Sequence, residues 1–288
     1  MEIPHVKKKI LVFLLISVSA SVFFILSCTS ISVKNYEIDT PLLAENTSIK
    51  IILIADLHST IYGREQTTLI EKIREENPDL IVMAGDILDD DVLHLGTELL
   101  LEGIKDIAPI FYVTGNHEYW SRDIQGIREL LLSYQVNILS DNYVRINING
   151  NEIIIAGTED PHKRSYEDPS YDQELAMENA FRELDDIELF KIFAAHRPER
   201  IEAYKKYSFD LILSGHTHGG QVRIPLILNG LLAPNQGLFP KYGGGLYRHG
   251  EMVHIISRGL SINPLLPRIF NNPELVIIIV KSSIITGE

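Results

Sequence analysis

The 288-residue chain has a single cysteine, Cys28, so it can form no intrachain disulfide and must be held together by packing. Basic charge is scarce as well: 26 Lys and Arg stand against 39 Asp and Glu, a formal net charge of −13. An average surface of that sign repels a polyanion, and no basic stripe interleaved with aromatics offers a nucleic-acid strand a local exception. Extended nucleic-acid binding and a nuclease of long strands are therefore disfavoured, while a single nucleotide stays open as a small substrate. There is no internal repeat and no low-complexity segment. With 45% hydrophobic residues, the chain has ample material for one sizeable core.

Charge is absent altogether from Ile10 to Leu26, a run that follows MEIPHVKKK. A basic start before an uncharged apolar run is the pattern of an export or anchoring segment, not of a folded domain. The run falls short of the roughly 20 residues of a spanning helix and reaches that length if Ser27 to Ile31 are added. Lys7, Lys8 and Lys9 place the N-terminus on the cytoplasmic side and the remainder across the membrane. Cys28 closes the run in a pattern that resembles a bacterial lipoprotein signal; a lipidated Cys28 and an uncleaved anchor both remain open. The expected organisation is a signal or membrane anchor over 1–28, a polar linker over 29–46 and a folded domain over 47–288.

Beyond the leader, apolar runs of strand length recur: Ile49–Ala55, Leu80–Ala84, Ile110–Thr114, Glu152–Ala156, Phe190–Ala195, Leu211–Ser214, Val253–Ser257 and Leu275–Val280. They are rich in Ile, Val and Leu with little alternation, as strands buried on both faces are. Helical patterns lie between them at Glu65–Glu76, Asp91–Asp106, Ser121–Ser133, Glu174–Leu184 and Pro198–Tyr207, so a layered α/β domain is expected. Asn149 and Gly150 favour the positive φ angles of a two-residue hairpin between YVRINI and NEIIIAG. That hairpin interrupts the βαβ rhythm and predicts a mixed sheet or two stacked sheets. Residues 219–259, rich in Gly and Pro, read as surface loops.

Five of the apolar runs end in groups able to bind metal. IILIADLH ends in Asp56 and His58, LIVMAGDILD in Asp86 and Asp89, IFYVTGNHE in Asn116, His117 and Glu118, KIFAAH in His196, and LILSGHTH in His216 and His218. Ligand sites in open α/β sheets lie at the C-terminal ends of strands, so these five sets can converge on one crevice. Asp, Asn and His are hard or borderline donors suited to divalent Mn, Fe, Zn or Mg, and no thiolate biases the site towards softer ions. Gly85, Gly115 and Gly215 beside them allow tight turns and close backbone approach.

The ordered set DLH, GDILD, GNHE, AAH and GHTH resembles the calcineurin-like metallophosphoesterase superfamily over roughly residues 49–280. GHTHGGQVRIP, the later SRGL and the leader look most like its small bacterial YkuE- and YaeI-type branch. The resemblance implies a four-layer αββα sandwich and a site for two divalent metal ions (Mn, Fe or Zn). It implies that Asp56, His58 and His218 hold one ion, that Asn116, His196 and His216 hold the other, and that Asp86 bridges them. His117 would contact the scissile phosphate and protonate the leaving oxygen, with Glu118 as a possible orienting carboxylate. Asp89 would support the ligands from behind without binding a metal. Ions about 3.5–4 Å apart would activate a bridging water and clamp phosphate oxygens.

Among the remaining polar residues, Arg197 and Arg223 are the candidates for a phosphate contact. His94 reads as a helix-surface residue and His254 as a packed core histidine. His162, Arg164, Arg248 and His249 read as solvated loop residues, and the acidic clusters around Asp90 and Asp185 as solvated helix ends. The function expected is hydrolysis of a phosphoester, a phosphodiester or pyrophosphate above all, through a hydroxide bridging two ions. The enzyme would sit at the outer face of the membrane, where a lipid-linked substrate is plausible. The alternative is a non-catalytic metal-binding scaffold of the same fold, whose mark would be loss of a ligand or of His117; none is lost here.

Overall fold

The computed structural model describes residues 5–27, 29–263, 266 and 268–283. Its strands, in chain order, are β1 (Ser32–Thr40), β2 (Ser48–Ile54), β3 (Leu80–Ala84), β4 (Ile110–Val113), β5 (Asn137–Ile138), β6 (Asn142–Ile148), β7 (Asn151–Gly157), β8 (Phe190–Ala194), β9 (Leu211–Ser214), β10 (Leu232–Ala233), β11 (Gly237–Leu238), β12 (Gly245–His249), β13 (Met252–Ile256) and β14 (Glu274–Ser282). The helices are α1 (His5–Ser27), α2 (Thr67–Glu76), α3 (Leu95–Ile104), α4 (Asn116–Trp120), α5 (Ile124–Ser133), α6 (Lys163–Tyr166), α7 (Gln173–Phe181) and α8 (Ile201–Tyr204).

Two mixed six-stranded sheets stack on each other, ordered β1-β14-β2-β3-β4-β5 and β12-β13-β9-β8-β7-β6. Within them β2, β3 and β4 run parallel, as do β7, β8, β9 and β13. Parallel neighbours bring their C-terminal ends to one edge, which is where the polar motifs begin. The central strands are buried on both faces and so read as unbroken Ile, Val and Leu. Ile51 and Leu53 of β2 face β8 and β9 of the opposite sheet in the inner core with Ile192 and Leu213. Ile52 and Ile54 point the other way, onto Leu69 and Ile73 of α2 and Leu100 and Leu101 of α3. Behind the second sheet, Ile154 and Phe193 pack on Met177 and Phe181 of α7 and Tyr204 of α8. The layers therefore run helix, sheet, sheet, helix.

The hairpin forms at the expected residues, with Asn149 at φ 51° and Gly150 at φ 81° between the antiparallel β6 and β7. The helical boundaries shift, the first pattern's helix starting at Thr67 after a 3₁₀ turn and the second's spanning only Leu95–Ile104. The third pattern forms a helix only from Ile124, the fourth gives way after Phe181 to a 3₁₀ turn (Arg182–Asp186), and the fifth opens as a 3₁₀ turn (Pro198–Arg200) before α8. The stretch expected to be a linker, 29–46, is a larger departure. It carries β1, which pairs in parallel with β14 from Ser32↔Glu274 to Thr40↔Ser282. As an edge strand with Lys34, Glu37 and Asp39 exposed, β1 lacks the apolar run of its neighbours, and charge on an edge blocks further pairing.

The leader forms α1, whose described side chains are exposed. Cys28 lies outside the described residues. Among the described residues no helix is long and apolar enough to cross a membrane. In α1 the described side chains run unbroken only from residue 12 to 22, short of the roughly 20 that a span takes.

Phe193 lies within the aromatic cluster of the outer core: it stacks on Phe209 at 4.4 Å and meets Phe181 and Tyr204 edge-on at 5.5 and 5.2 Å. Phe193→Ala should cost about 3–5 kcal/mol in urea unfolding, and Leu132→Ala, on the exposed face of α5, about 0.5 kcal/mol or less. Equal losses in the two variants would contradict this packing.

Candidate metal centre

The five motifs converge. Each strand stops where its polar residues start, and the chain turns sharply there: Asp56, His58, Asp86, His216 and His218 take φ values of 48°, 47°, 51°, 71° and 47°. Left-handed backbone is uncommon for residues with a side chain and survives only where the surroundings over-determine it. The turns hold one another in place. The amides of Asp56 and His58 donate to the carbonyls of Gly85 and Asp86, both at 3.0 Å. The amide of His216 donates to the Asp56 carboxylate at 2.9 Å, and that of His117 to Asp86 Oδ1 at 2.9 Å. Gly115 is required by closeness, since a Cβ there would lie 2.1 Å from Asp86 Oδ1.

The donor atoms form two groups, each within 4.8 Å: Asp56, His58 and His218, and Asp86, His196 and His216. Asp86 lies between them, with Oδ2 3.1 Å from His196 Nε2 and 3.8 Å from His58 Nε2. The histidines are aimed from behind. His58 Nδ1 is 2.9 Å from Asp89, His196 Nδ1 2.8 Å from the Ala84 carbonyl and His218 Nδ1 3.1 Å from Ser261 Oγ, so each turns Nε2 inward. His216 is turned round: its Nε2 is 2.8 Å from Asn235 Oδ1 and its Nδ1 faces His196 Nε2 at 3.1 Å. Partners of this kind fix ring orientation and tautomer in metal sites.

The donor set fits divalent cations on two further counts. Asn116 Oδ1 and His58 Nε2 are buried without a hydrogen-bond partner, a costly state that a cation relieves. Electrostatics point the same way. Burial works against the charged form of Asp86, but the charge and hydrogen bond of His196, helped by His58 and His117, hold its pKa well below the usual carboxylate range. Burial and the neighbouring Asp86 charge raise Asp56, against His196. Burial, His196 and Arg197 press His216 down to about 3, and burial with His58 and Arg268 lowers His218 strongly. Neutral imidazole is the form that binds metal; against burial, the Asp86 charge and hydrogen bond raise His196 to about 10 and the Asp89 hydrogen bond raises His58, so these two rings would give up a proton when a cation binds.

His117, on α4, stands beside both groups, edge-on to His58 at 4.3 Å and 4.6 Å from the Trp120 ring. Its orienting carboxylate is Asp90, hydrogen-bonded to Nδ1, and not Glu118. Glu118 is buried and accepts from the amides of Ile87 (2.8 Å), Leu88 (3.2 Å), Gly115 (2.7 Å) and Asp86 (3.1 Å), so it holds the loop that carries Asp86. Its carboxylate is used up by backbone and cannot also reach the His117 ring. Asp89 supports His58 from behind, as expected. The missed signal is the run ILDDD: successive residues of a non-helical loop face different ways, so Asp89 serves one histidine and Asp90 the next.

The two arginines divide. Arg197 borders the site, yet Asp160 holds it through two hydrogen bonds (2.6 and 3.0 Å) and Asn235 takes a third at 2.9 Å. Arg223 lies in a separate cavity with Arg258 and Phe270, not at the metal donors. His162, expected in solvent, instead faces Trp120 at 5.4 Å and lines the site. His254 is a core histidine, its Nε2 2.9 Å from Ser214 Oγ, while Arg164 and Arg248 are exposed. His94 flanks the start of α3, and His249 packs loosely on Tyr242. Asn235, Ser261 and Arg268 carry no motif and reach the site only through the loops over it.

Two adjoining cavities open onto the donors and share His117, His218 and Pro234. The smaller, about 320 Å³, has Asp86, Asn116 and His216 on its floor. The larger, about 510 Å³, adds Asp89 and Arg268 and an apolar wall of Val92, Ile262 and Leu266.

The model of the calcineurin-like phosphoesterase family matches residues 49–220, more than half of the chain and all of the motifs above. The chain is 30% identical over 223 residues to an uncharacterized metallophosphoesterase of Helicobacter pylori, covering 75% of this chain and 56% of the relative. It is 28% identical over 240 residues to the metallophosphoesterase YkuE of Bacillus subtilis, covering 81% of this chain and 79% of YkuE. The chain thus spans little more than half the length of the Helicobacter relative. Among solved structures, the NAD nucleotidase NadN of Haemophilus influenzae aligns with a TM-score of 0.53 at 16% identity, over 76% of this chain and 46% of that one, a likeness of fold alone. By the family match and the converging motifs that it spans, this chain belongs to the calcineurin-like phosphoesterase family.

Proposed function

We propose that the chain is a metal-dependent phosphoesterase, acting on a phosphodiester or pyrophosphate bond, whose domain is held at the outer face of the membrane by its N-terminal segment. The observation that carries this reading is the position of Asp86, within 4 Å of a histidine from each donor group. Asp56, His58 and His218 would hold one divalent cation and Asn116, His196 and His216 the other, with Asp86 within reach of both groups. When bound, the two ions supply the positive charge that lowers the pKa of a water and neutralises phosphoryl oxygens in a chain otherwise acidic.

The chain's own residues do the rest. Asp90 fixes the His117 ring through Nδ1, which leaves Nε2 to face the cleft and deliver a proton to the leaving oxygen. Trp120 packs against that ring and limits its rotation. Asp160 keeps Arg197 extended at the rim of the smaller cavity, so its charge faces the phosphoryl group. The apolar wall of the larger cavity supports a substrate with a hydrophobic portion next to its phosphate, such as a lipid-linked one.

Support for the anchor comes from Lys7–Lys9, the charge-free run from Ile10 to Leu26, and the exposed apolar side chains of α1, which water alone does not favour.

Three outcomes test the reading. The full chain in detergent, stripped with chelator, should lose hydrolysis of bis(p-nitrophenyl) phosphate and regain it with Mn; turnover unaffected by chelation would refute metal dependence. His117→Gln should keep its metal, by elemental analysis, while kcat falls about 10²- to 10⁴-fold, whereas Asp86→Asn should lose both metal and activity. Equal metal loss in the two variants would undo this division of roles. Asp89→Asn should weaken metal affinity about 10- to 100-fold by freeing the His58 ring, and an unchanged affinity would remove that role from Asp89.

A further inference from the structure

The loop Arg223–Asn229, with sequence RIPLILN, is an anomaly for a surface turn. It folds back through a bridge between Ile224 and Leu228, and Leu226 at its tip is both fully exposed and left-handed, at φ 66°. Ile227 beside it is 83% exposed and Phe270 is 55% exposed. The Arg223 amide donates to the Ile269 carbonyl at 2.9 Å, which ties this loop to Phe270. Together they line a cavity of about 440 Å³ whose charged residues, among those described, are Arg223 and Arg258. Arg258 is paired with Glu274, whereas among the described residues the Arg223 side chain bonds the neutral Asn229 side chain and the Gly243 carbonyl. Cationic groups inside an exposed apolar rim complement an anionic amphiphile and not water.

The position of the patch in the chain says which surface that is. Asn272, two residues beyond Phe270, donates to the Ser30 carbonyl at 3.3 Å, and Arg258 Nη2 donates to Ser32 Oγ at 3.1 Å. Ser30 and Ser32 are the first residues of the domain after the leader. With the leader anchored in the membrane, as proposed above, these residues lie close to the bilayer surface. A lipidated Cys28 would hold Ser30 at the same surface.

We propose that the turn Ile224–Leu228, together with Phe270, dips into the interface of an anionic phospholipid bilayer beside the leader, with Arg223 receiving a lipid phosphate. This rests on the membrane-anchored reading above. Leu266 and Arg268 line the catalytic cleft and Phe270 lines this cavity, so a docked turn sets the cleft mouth at the lipid headgroups. There an amphiphilic phosphoester can enter without leaving the membrane.

The test uses the full chain with Cys28 intact and an environment-sensitive fluorescent amino acid in place of one residue at a time, Leu226, Val18 or Leu132. Each is reconstituted in vesicles of phosphatidylcholine and phosphatidylglycerol with or without brominated acyl chains. The probe at 226 should be quenched severalfold more than that at 132, and less so when phosphatidylglycerol is omitted. Quenching at 18 but not at 226 overturns the docked turn and leaves the anchor standing; quenching at neither overturns both. A probe at 226 shielded from aqueous iodide yet untouched by bromolipid means a protein surface covers the turn, which also overturns the proposal. Bromolipid quenching indifferent to phosphatidylglycerol overturns the role given to Arg223.

Discussion

The site depends on keeping one buried carboxylate, Asp86, charged between two sets of donors. Burial alone would neutralise it, and the protein counters with the His196 ring at 3.1 Å and the His117 amide at 2.9 Å. Removing one partner of such a buried arrangement costs several kcal/mol, so the surroundings are constrained in turn. Gly115 is bare because Asp86 Oδ1 fills the space of its side chain. Glu118 spends its carboxylate on four amides to fix the loop, and five candidate ligand residues accept left-handed backbone. A cation in each donor group would relieve the buried His58 Nε2 and Asn116 Oδ1.

The stacked sheets supply the rigidity that this needs. His58, Asp86 and Asn116 come from the first sheet, His196, His216 and His218 from the second, so the site exists only while the sheets keep their register. Glu159 helps to lock them. It is fully buried after β7 of the second sheet and accepts from Thr114 (2.5 Å), which follows β4 of the first, from Ser140 (2.6 Å), from Tyr119 (2.7 Å) of α4 and from Arg128 (2.9 Å) of α5. These bonds outweigh burial and keep Glu159 below its ordinary pKa. The helix carrying His117 is thereby bolted to the second sheet.

Much of this was legible in the sequence, for physical reasons that also mark the limit. Strands buried on both faces must be continuous runs of apolar residues, and the polar residues that end them must turn towards a crevice, so both the central strands and Asp56, His58, Asp86, Asn116, His117, His196, His216 and His218 could be read directly. Edge strands obey no such demand. β1 is as polar as a linker because its outer side faces solvent. Contacts between loops distant in sequence leave no local pattern either: Asn235 reaches His216 and Ser261 reaches His218 across the irregular region. Asp90, expected in solvent, took the place expected of Glu118, because adjacency in sequence says nothing about which way a side chain points within a turn.

The account's central claim is that Asp86 joins two cation sites into one. The most direct measurement is the electron paramagnetic resonance spectrum of the metal-free chain as Mn is titrated in. Two equivalents bound per chain, with a spin-coupled multiline signal that is lost in Asp86→Asn, is the predicted result. A single equivalent giving only the six-line signal of an isolated ion would contradict the claim.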